Sequence, residues 1–382
     1  MLFSEILGQE HIKSHLTTSA SSSRIPHAQL FIGPEGSGTL PMAIAYAQYI
    51  LCANSGGENT NGNEACNLKF RNLSHPDLHF VFPVSTNSDV KSHPVSANFL
   101  KAWREFVEET PYGSLFDWYK KIDIANKQGQ IGVDEATEIV KSLSLKAYEG
   151  GYKVMIIWMA DKMNTATANK LLKLLEEPPE KTVFLLIAES QDDILQTILS
   201  RCQVLNFGPL GEKAIVEALV SRENIEQRAA LKIAHQAQGN YNKALHLLNK
   251  TDDDNPFEEW FVMWVRAAFR AKGNAAAIQD LIAWSEAIAG IGREAQKQFL
   301  NFCIDMFRQA LLLNYNAKEL VFMEPTVDKF KLENFAPFVN GNNINDIFKE
   351  LSDALYHIER NGNAKIILTD LSIKLTRLIH KK

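Results

Sequence analysis

This sequence of 382 residues has no long apolar run, no excess of basic residues and few cysteines. No apolar run reaches the roughly 18–20 residues that a membrane-spanning helix needs, so we expect no membrane partner. Basic residues are not in excess, because 40 Lys and Arg stand against 45 Asp and Glu and give a net charge of −5. Contact with nucleic acid must therefore come from a local basic patch or be shared with partner subunits. Met1–Glu5 lacks the basic region and long apolar core of a signal peptide, so we expect a cytoplasmic protein.

The few cysteines are spread along the chain, at Cys52, Cys66, Cys202 and Cys303. Such scatter argues against a disulfide framework. Cys52 and Cys66 flank a polar loop that His75 and His79 follow, so a zinc site made by these four residues is one interpretation. No C-x-x-C pair is present, which favours the alternative of a plain loop with two free thiols. We therefore predict that the chain holds no metal.

One glycine-rich loop is present, Gly33-Pro34-Glu35-Gly36-Ser37-Gly38-Thr39-Leu40, between an apolar run and a helical pattern. This is the strand–loop–helix setting in which G-x-x-x-x-G-K-[ST] binds nucleotide phosphates. Gly33, Gly36 and Gly38 supply the glycine frame. Thr39 stands where the lysine that reaches the β- and γ-phosphates belongs, and Leu40 replaces the hydroxyl residue that holds Mg²⁺. The loop predicts a nucleotide-binding fold that lacks the side chains which bind the β- and γ-phosphates and Mg²⁺.

A second element of the same site is altered as well. The apolar strand of residues 154–157 should end in an acidic pair that holds Mg²⁺ and polarises water, but Trp158 and Met159 follow it. Asp161 comes too late along the chain to replace the pair. Because two independent elements of one site have failed together, we predict no nucleotide cofactor and no intrinsic ATPase activity.

Near-continuous apolar runs alternate with helical patterns, as they do in a parallel sheet covered on both faces. The runs are residues 29–32, 77–82, 153–159, 182–188 and 203–207. We predict an α/β module of the P-loop type with a parallel sheet, followed by an all-helical region. The expected boundaries are 1–208 for the α/β domain, 209–250 for a helical lid, 251–256 for a linker and 257–382 for a helical domain.

Two other segments bear on function. Residues 98–119 are rich in aromatic residues and predict an inserted helical segment whose aromatics belong to the core, with base stacking as the alternative. Ser200-Arg201-Cys202 follows a helical turn and precedes the last strand. A lone arginine is normally a solvated surface side chain. At the edge of a subunit in an oligomeric NTPase, however, an arginine can stabilise the charge on a neighbour's γ-phosphate.

Several short motifs together resemble one family, because they occur in the order seen in bacterial clamp-loader AAA+ subunits of DNA polymerase III. The resemblance covers residues 1 to about 248. The motifs are Gly8-Gln9-Glu10, residues 24–31 (RIPHAQLF), the Gly33–Gly38 loop, His75-Pro76-Asp77-Leu78, residues 169–179 (NKLLKLLEEPP) and Ser200-Arg201-Cys202.

Within that family the gamma/tau ATPase subunits keep the phosphate-loop lysine and the acidic pair, whereas delta-prime subunits lose them and keep the Ser-Arg-Cys arginine. The resemblance implies an AAA+ α/β module with a helical lid and a C-terminal collar domain for oligomerisation. It implies that Arg201, between Ser200 and Cys202, acts in trans as an arginine finger. The lid position of the ATP-sensing arginine holds Asn242.

The resemblance also implies partners: gamma/tau ATPase subunits, the delta subunit, the sliding clamp, directly or through other subunits, and primer-template DNA within the complex. The chain would then be a hetero-oligomeric component of a DNA-directed DNA polymerase holoenzyme in DNA replication, without cofactor or metal. One alternative is an active gamma/tau-like AAA+ ATPase with an atypical nucleotide site, which would need substitutes for the missing groups at Thr39, Leu40, Trp158 and Met159. Another is an inactive AAA+ scaffold for a different remodelling machine.

Overall fold

The computed structural model describes residues 1–22, 24–52, 64–148, 151–249, 256–323, 325, 327 and 329–381. Contacts divide the chain into two units, which are described separately. The first unit contains Met1–Ile124 and Gly129–Leu248, and the second contains Ala125–Gln128 and Asn249–Lys382. The predicted linker, residues 251–256, lies outside the described residues except for Pro256.

The first unit is built on a five-stranded sheet in which all neighbouring strands are parallel. Its strands are β1 Ala28–Ile32, β2 Leu78–Val81, β3 Lys153–Ile157, β4 Thr182–Ala188 and β5 Gln203–Asn206. The order is β2-β3-β4-β1-β5, so Leu30 of β1 is aligned with Leu186 on one side and Val204 on the other. Strands β1, β3 and β4 are buried along their whole length, as apolar runs covered on both faces should be. The predicted parallel sheet is confirmed.

Helices cover both faces of the sheet. They are α1 Glu10–Ser21, α2 Thr39–Cys52, α3 Glu64–Arg71, α4 Leu100–Glu109, α5 Leu115–Lys121, α6 Val133–Ser144, α7 Thr165–Glu176 and α8 Gln196–Leu199. Successive residues of β1 point to opposite faces, because the side-chain period of a strand is two. Phe31 packs in the core that includes α1 to α5, whereas Leu30 and Ile32 pack in the core that includes α6 to α8. The two cores hold β1 firmly, and the glycine loop begins directly after it.

Three helices that follow the sheet form a smaller layer, called the lid: α9 Glu212–Glu223, α10 Gln227–Ala237 and α11 Tyr241–Leu248. The small residues Ala230 and Ala234 of α10 share a buried core with Ile215 and Leu219 of α9. Tyr112, which lies outside the lid between α4 and α5, is buried in the same core. The lid is therefore joined to the segment around α4 and α5 by apolar contact.

The aromatic segment of residues 98–119 forms helices α4 and α5 and packs against the sheet. Trp103 stacks on Phe82 with ring centroids 4.2 Å apart, and Trp118 meets both rings edge-on. The indole Nε1 of Trp118 donates a hydrogen bond of 2.8 Å to the carbonyl of Pro83. Trp103 and Trp118 are fully buried, so the interpretation of these aromatics as core residues is confirmed.

The two cysteines that flank the polar loop form a disulfide, so the prediction of two free thiols is wrong. Cys52 ends α2, and Cys66 lies in the first turn of α3. The two helices pack together and bring the Cα atoms to 5.6 Å, which is within the range that a disulfide spans. Most of the loop between the two cysteines, residues 53–63, lies outside the described residues. Cys202 and Cys303 are free thiols.

In its described residues, the secondary structure of the second unit is helical, as predicted, with turns and coil between the helices. Its helices are α12 Phe257–Arg270, α13 Ala275–Ala289, α14 Arg293–Asn314, α15 Leu332–Phe335, α16 Ile344–Glu359 and α17 Ala364–Ile379. Trp264 of α12 stacks on Trp284 of α13 with centroids 4.9 Å apart and donates to the hydroxyl of Ser372 on α17 at 2.9 Å. Across the described ranges, no helix is both long and apolar enough to cross a membrane.

Candidate functional site

The glycine loop joins β1 to α2 and keeps the shape of a phosphate cradle. The Gly33 N–H donates to the carbonyl of Ala188 on β4 at 3.2 Å, and the Ser37 N–H donates to the carbonyl of Pro34 at 3.1 Å. Gly36 and Gly38 have φ of 71° and 92°, a region that side chains with a Cβ rarely adopt. The loop ends at Thr39, where α2 begins, so the backbone amides of the helix N-terminus lie beside it.

The four positions that should carry the chemistry are apolar or lack charge. Leu40 is 3% exposed and belongs to the core, and Thr39 carries no cation. Trp158 directly follows β3, and its ring lies 5.1 Å from that of Trp103. Met159 is buried. Asp161 forms an ion pair with the neighbouring Lys162 at 2.7 Å, so its carboxylate already has a cationic partner.

The space above the loop is small. Its cavity volume is about 20 Å³, which is close to the volume that one water needs and far below that of a ligand pocket. Gly36, Thr39, Trp158 and Glu189 are among its lining residues. Within the described part of the chain, no lysine or arginine lines this cavity. The described lining therefore offers no cationic side chain to a triphosphate.

Tyr112 fills part of the space beside the loop. Its hydroxyl accepts a hydrogen bond of 2.9 Å from the N–H of Leu7, and its ring meets Tyr241 of the lid edge-on at 5.1 Å. A Cβ on Gly38 would lie 3.0 Å from the Tyr112 ring, so a larger residue at position 38 would push against it. The segment that contains Tyr112 is thus in contact with both the loop and the lid.

The lid closes on the loop from the other side. The Tyr241 N–H donates to the carbonyl of Gly36 at 3.3 Å, and Asn240 Nδ2 donates to Glu35 Oε1 at 3.2 Å. A Cβ on Gly36 would lie 2.8 Å from the backbone nitrogen of Tyr241, so glycine is required by this contact as well as by its φ. Residues at the start of α11 therefore contact the loop directly.

Asp117 on α5 is the most strongly bonded carboxylate near the site. Asn242 Nδ2 donates to Asp117 Oδ2 at 2.8 Å, and His246 Nε2 lies 3.1 Å from Asp117 Oδ1. Burial alone would raise the pKa of Asp117, but the hydrogen bond and charge of His246, with hydrogen bonds from Ser114, hold it well below its usual range. The hydrogen bond to Asp117 in turn raises the pKa of His246. The pair favours the ionised carboxylate and the protonated imidazole.

Arg201 lies on the surface at the end of α8. Its Nη1 donates to the carbonyl of Thr197 at 2.8 Å and to Ser200 Oγ at 3.2 Å. Its Nη2 forms an ion pair with Glu176, the last residue of α7, and the arginine side chain is 34% exposed. The described residues that line the cavity above the loop do not include Arg201. The guanidinium therefore does not serve the phosphate loop of its own chain.

Cys202 and the cysteine pair offer no reactive or metal-binding thiolate. Burial raises the pKa of the Cys202 thiol to about 11, so this thiol is protonated at neutral pH. Cys52 and Cys66 are bonded to each other. In the ranges that the structure describes, no group of three or more His, Cys, Asp or Glu side chains is placed to hold a metal ion.

Four residues near the site were not singled out from the sequence: Tyr112, Asp117, Asn240 and His246. Asp117 had one readable signal, since Ser114-x-x-Asp117 is a capping box at the start of a helix. Its partners on the lid are more than a hundred residues away along the chain. No local sequence pattern predicts a contact between residues this far apart.

A parallel sheet with β1 between β4 and β5, a glycine loop that leads into a helix, and a helical lid define an AAA+ module of the P-loop class. The sequence model of one family, described as DNA polymerase III, delta subunit, matches residues 8–211. The match covers more than half of the chain, and the chain belongs to this family.

Individual relatives agree with the family. The chain is 30% identical over 215 residues to DNA polymerase III subunit delta' of Bacillus subtilis, covering 56% of this chain and 52% of the relative. It is 29% identical over 255 residues to subunit tau of the same organism, covering 65% of this chain and 37% of the relative. The chain spans about half the length of the delta' relatives that it matches. Among solved structures, a gamma subunit-related protein of Thermotoga maritima covers 96% of this chain and 99% of its own, at 14% identity and a TM-score of 0.39.

Proposed function

We propose that this chain is a non-hydrolysing subunit of the DNA polymerase III clamp loader. It supplies Arg201 in trans to the ATP site of an adjacent gamma/tau subunit. The assembly, with the delta subunit, opens the sliding clamp and places it on primer-template DNA during replication. One observation carries the proposal: the chain's own nucleotide cavity is small and has no cationic side chain in its described lining, while the partly exposed arginine of the Ser-Arg-Cys motif does not line that cavity.

The small, uncharged cavity supports a subunit without ATPase activity. Phosphoryl transfer depends almost wholly on positioned positive charge around the transferring phosphate. The loop has lost its lysine, the magnesium-binding positions hold Leu40, Trp158 and Met159, and the remaining volume is about 20 Å³. The described residues that line the cavity include no lysine or arginine that could replace the missing groups at the four altered positions. This is the main support against the alternative of an active gamma/tau-like ATPase.

Sequence similarity alone does not separate the two alternatives. The identity to the delta' relative is 30% and the identity to the tau relative is 29%. The choice therefore depends on the site. An active ATPase must keep the groups that bind Mg²⁺ and the γ-phosphate, whereas a subunit that only completes a neighbour's site needs an accessible arginine.

Arg201 has the properties that such a role needs. A guanidinium is planar, always charged and able to donate two parallel hydrogen bonds to phosphate oxygens. Its partner Glu176 is 48% exposed, and exposed ion pairs contribute only about 0–1 kcal/mol. A neighbouring γ-phosphate, with a larger charge in a drier environment, can therefore replace Glu176 as the partner of Arg201.

The second unit is the proposed oligomerisation or collar domain. Several large apolar side chains of its helices are 40% or more exposed: Met263, Phe269, Ile278, Ile282, Ile366 and Ile373. Such side chains would supply the apolar core of an interface between subunits. The proposed contacts are with the corresponding units of gamma/tau and delta.

Co-purification tests the assembly directly. The full-length chain with an affinity tag, expressed at its native level, is expected to bring gamma/tau and delta subunits out of the cell extract. Arg201→Ala should bring the same subunits in the same ratio, because Arg201 acts on a bound nucleotide. Recovery of an unrelated remodelling machine, without any gamma/tau subunit, would contradict the proposed function.

A further inference from the structure

The lid directs polar side chains at two carboxylates of the same chain. Asn240 and Asn242 donate to Glu35 of the phosphate loop at 3.2 and 3.4 Å. Asn242 also donates to Asp117 on α5 at 2.8 Å, and His246 meets the other oxygen of Asp117 at 3.1 Å. We propose that Glu35 and Asp117 are internal anionic ligands, which take the place of nucleotide phosphates and hold the lid closed over the loop.

The chemistry of the donors supports this exchange of ligands. A bound triphosphate would offer anionic oxygens to donors on the loop and the lid, and hydrogen bonds to charged groups are roughly twice as strong as neutral ones. Here the lid position that the resemblance assigns to an ATP-sensing arginine holds Asn242, and its amide binds carboxylates instead. A neutral amide suits this place because the two acceptors are fixed parts of the chain and need no cation to recruit them.

Asp117 is already held in place before it meets the lid. It is part of a capping box at the start of α5, in which the Ser114 N–H and hydroxyl donate to Asp117 Oδ2 at 2.9 and 2.6 Å. The Asp117 N–H donates back to Ser114 Oγ at 3.1 Å. Because the carboxylate is pre-oriented, binding the lid costs little further side-chain entropy.

The inference also assigns a function to the aromatic segment of residues 98–119. The stacked aromatics anchor α4 and α5 on the sheet, and the outer end of the segment then presents Tyr112 and Asp117 to the lid. The segment would thus link the rigid sheet to the lid without any bound nucleotide. All these contacts lie within one unit of one chain, so the inference does not depend on the role of Arg201 or on partner subunits.

Hydrogen–deuterium exchange of the full-length chain tests the proposal. The probe variant is Asn242→Ala combined with His246→Ala. It removes both lid donors to Asp117 and one of the two donors to Glu35, keeps the Asn240 donor, and leaves the capping box of α5 intact. The matched control is Glu109→Gln, which removes a carboxylate of the same segment that pairs with Lys121 at 2.8 Å and not with the lid. Exchange is followed in residues 33–42, residues 239–248 and, as an internal reference, β4.

The probe variant loses two or more hydrogen bonds to carboxylates, each worth at least about a tenfold change in an equilibrium constant. We expect exchange in the loop and the lid to accelerate by about tenfold or more, since opening of the lid controls it. The control and β4 should stay within about twofold of the wild type. Lid exchange within about twofold of the wild type, or equal acceleration in β4, would overturn the proposal.

A second variant examines the acceptors themselves. Glu35→Gln combined with Asp117→Asn keeps the shapes of both side chains and removes both negative charges. It is expected to loosen the same two segments, and protection equal to that of the wild type would show that charge is not what holds the lid. Mg-ATP should leave lid exchange of the wild-type chain unchanged, because the lid donors are already bonded to the carboxylates of Glu35 and Asp117. Added protection from Mg-ATP would contradict the proposal.

Discussion

Arg201→Ala separates the proposed role of the arginine in ATP hydrolysis from any role in folding. The side chain of Arg201 is 34% exposed, and its partner Glu176 is 48% exposed. The other bonds of the guanidinium go to Thr197 and Ser200, within the same turn. An exposed pair of this kind contributes about 0–1 kcal/mol, so the free energy of unfolding should fall by no more than about 1 kcal/mol. The variant should fold and assemble normally.

ATP hydrolysis by the assembled complex should nevertheless slow down. Arginine fingers in GTPases contribute on the order of 10³–10⁵ in rate. The loss across the whole complex should be smaller than that range, because other sites in the ring keep their own arginines. Arg201→Lys should be nearly as damaging, since an ammonium is a point charge without the planar, two-pronged donor geometry of guanidinium.

The assay is DNA- and clamp-stimulated ATPase of the reconstituted complex, with clamp loading measured in parallel. The matched control is Arg228→Ala, because Arg228 is an exposed arginine on the lid helix α10. The control should leave both activities unchanged. If Arg201→Ala also leaves turnover and clamp loading unchanged in a complex of normal composition, Ser200-Arg201-Cys202 is only a structural motif.

Three further predictions concern the lid, the second unit and the cysteines. The lowered pKa of Asp117 keeps its carboxylate ionised near neutral pH, and contact with this carboxylate raises the pKa of His246 in the folded chain. The resulting stability is fully present below the ordinary histidine pKa of about 6.5, and it is lost as the pH rises through the raised pKa of His246. Urea unfolding should therefore show greater stability at about pH 5.5 than at about pH 8.5, by a margin that His246→Gln reduces. The buried carboxyl of Glu135, whose pKa burial raises to about 7, contributes in the same direction and is unaffected by that change. Residues 1–250 alone should be soluble but fail to co-elute with partner subunits, because the exposed apolar helices lie beyond them. Reducing the Cys52–Cys66 disulfide, which closes a loop of sequence separation 14, should lower the stability of the first unit by about 2–3 kcal/mol.

Each of these predictions has a contradicting outcome. An identical pH dependence of unfolding in the wild type and His246→Gln would show that His246 does not contribute to it. Besides Asp117, the charged groups that act on the pKa of His246 are Glu35 and Lys120. Assembly of residues 1–250 as well as the full chain would exclude the collar role. Equal unfolding midpoints with and without reductant would contradict the disulfide, for which Cys52→Ser with Cys66→Ser is the reductant-insensitive control. One tightly held zinc per chain in metal analysis would do the same.

Much of the fold could be predicted because its signals are local. The buried strands are near-continuous apolar runs, and the phosphate loop is marked by glycines whose φ values other residues rarely adopt. The replaced positions of the site could also be read directly, since Thr39, Leu40, Trp158 and Met159 occupy known places in a strand–loop–helix pattern.

The contacts that close the site could not be predicted because they join distant parts of the chain. Asn242 and Asp117 are 125 positions apart, and Leu7 and Tyr112 are 105 apart. The disulfide was missed for a related reason: it depends on how α2 packs on α3, and the spacing of two cysteines around a polar loop does not reveal that packing. The local sequence therefore indicated which groups are absent from the loop and from the end of β3. The contacts of the loop with the lid and with Tyr112 depend on tertiary packing, which the local sequence does not show.

The central claim, a nucleotide fold that binds no nucleotide, is tested most directly by calorimetric titration of the isolated full-length chain with Mg-ATP. A gamma/tau subunit that keeps the phosphate-loop lysine, titrated in the same buffer, is the positive control. The absent lysine and magnesium ligands, together with a cavity of about 20 Å³, predict no measurable binding heat for this chain. Saturable binding with a micromolar Kd would contradict the account.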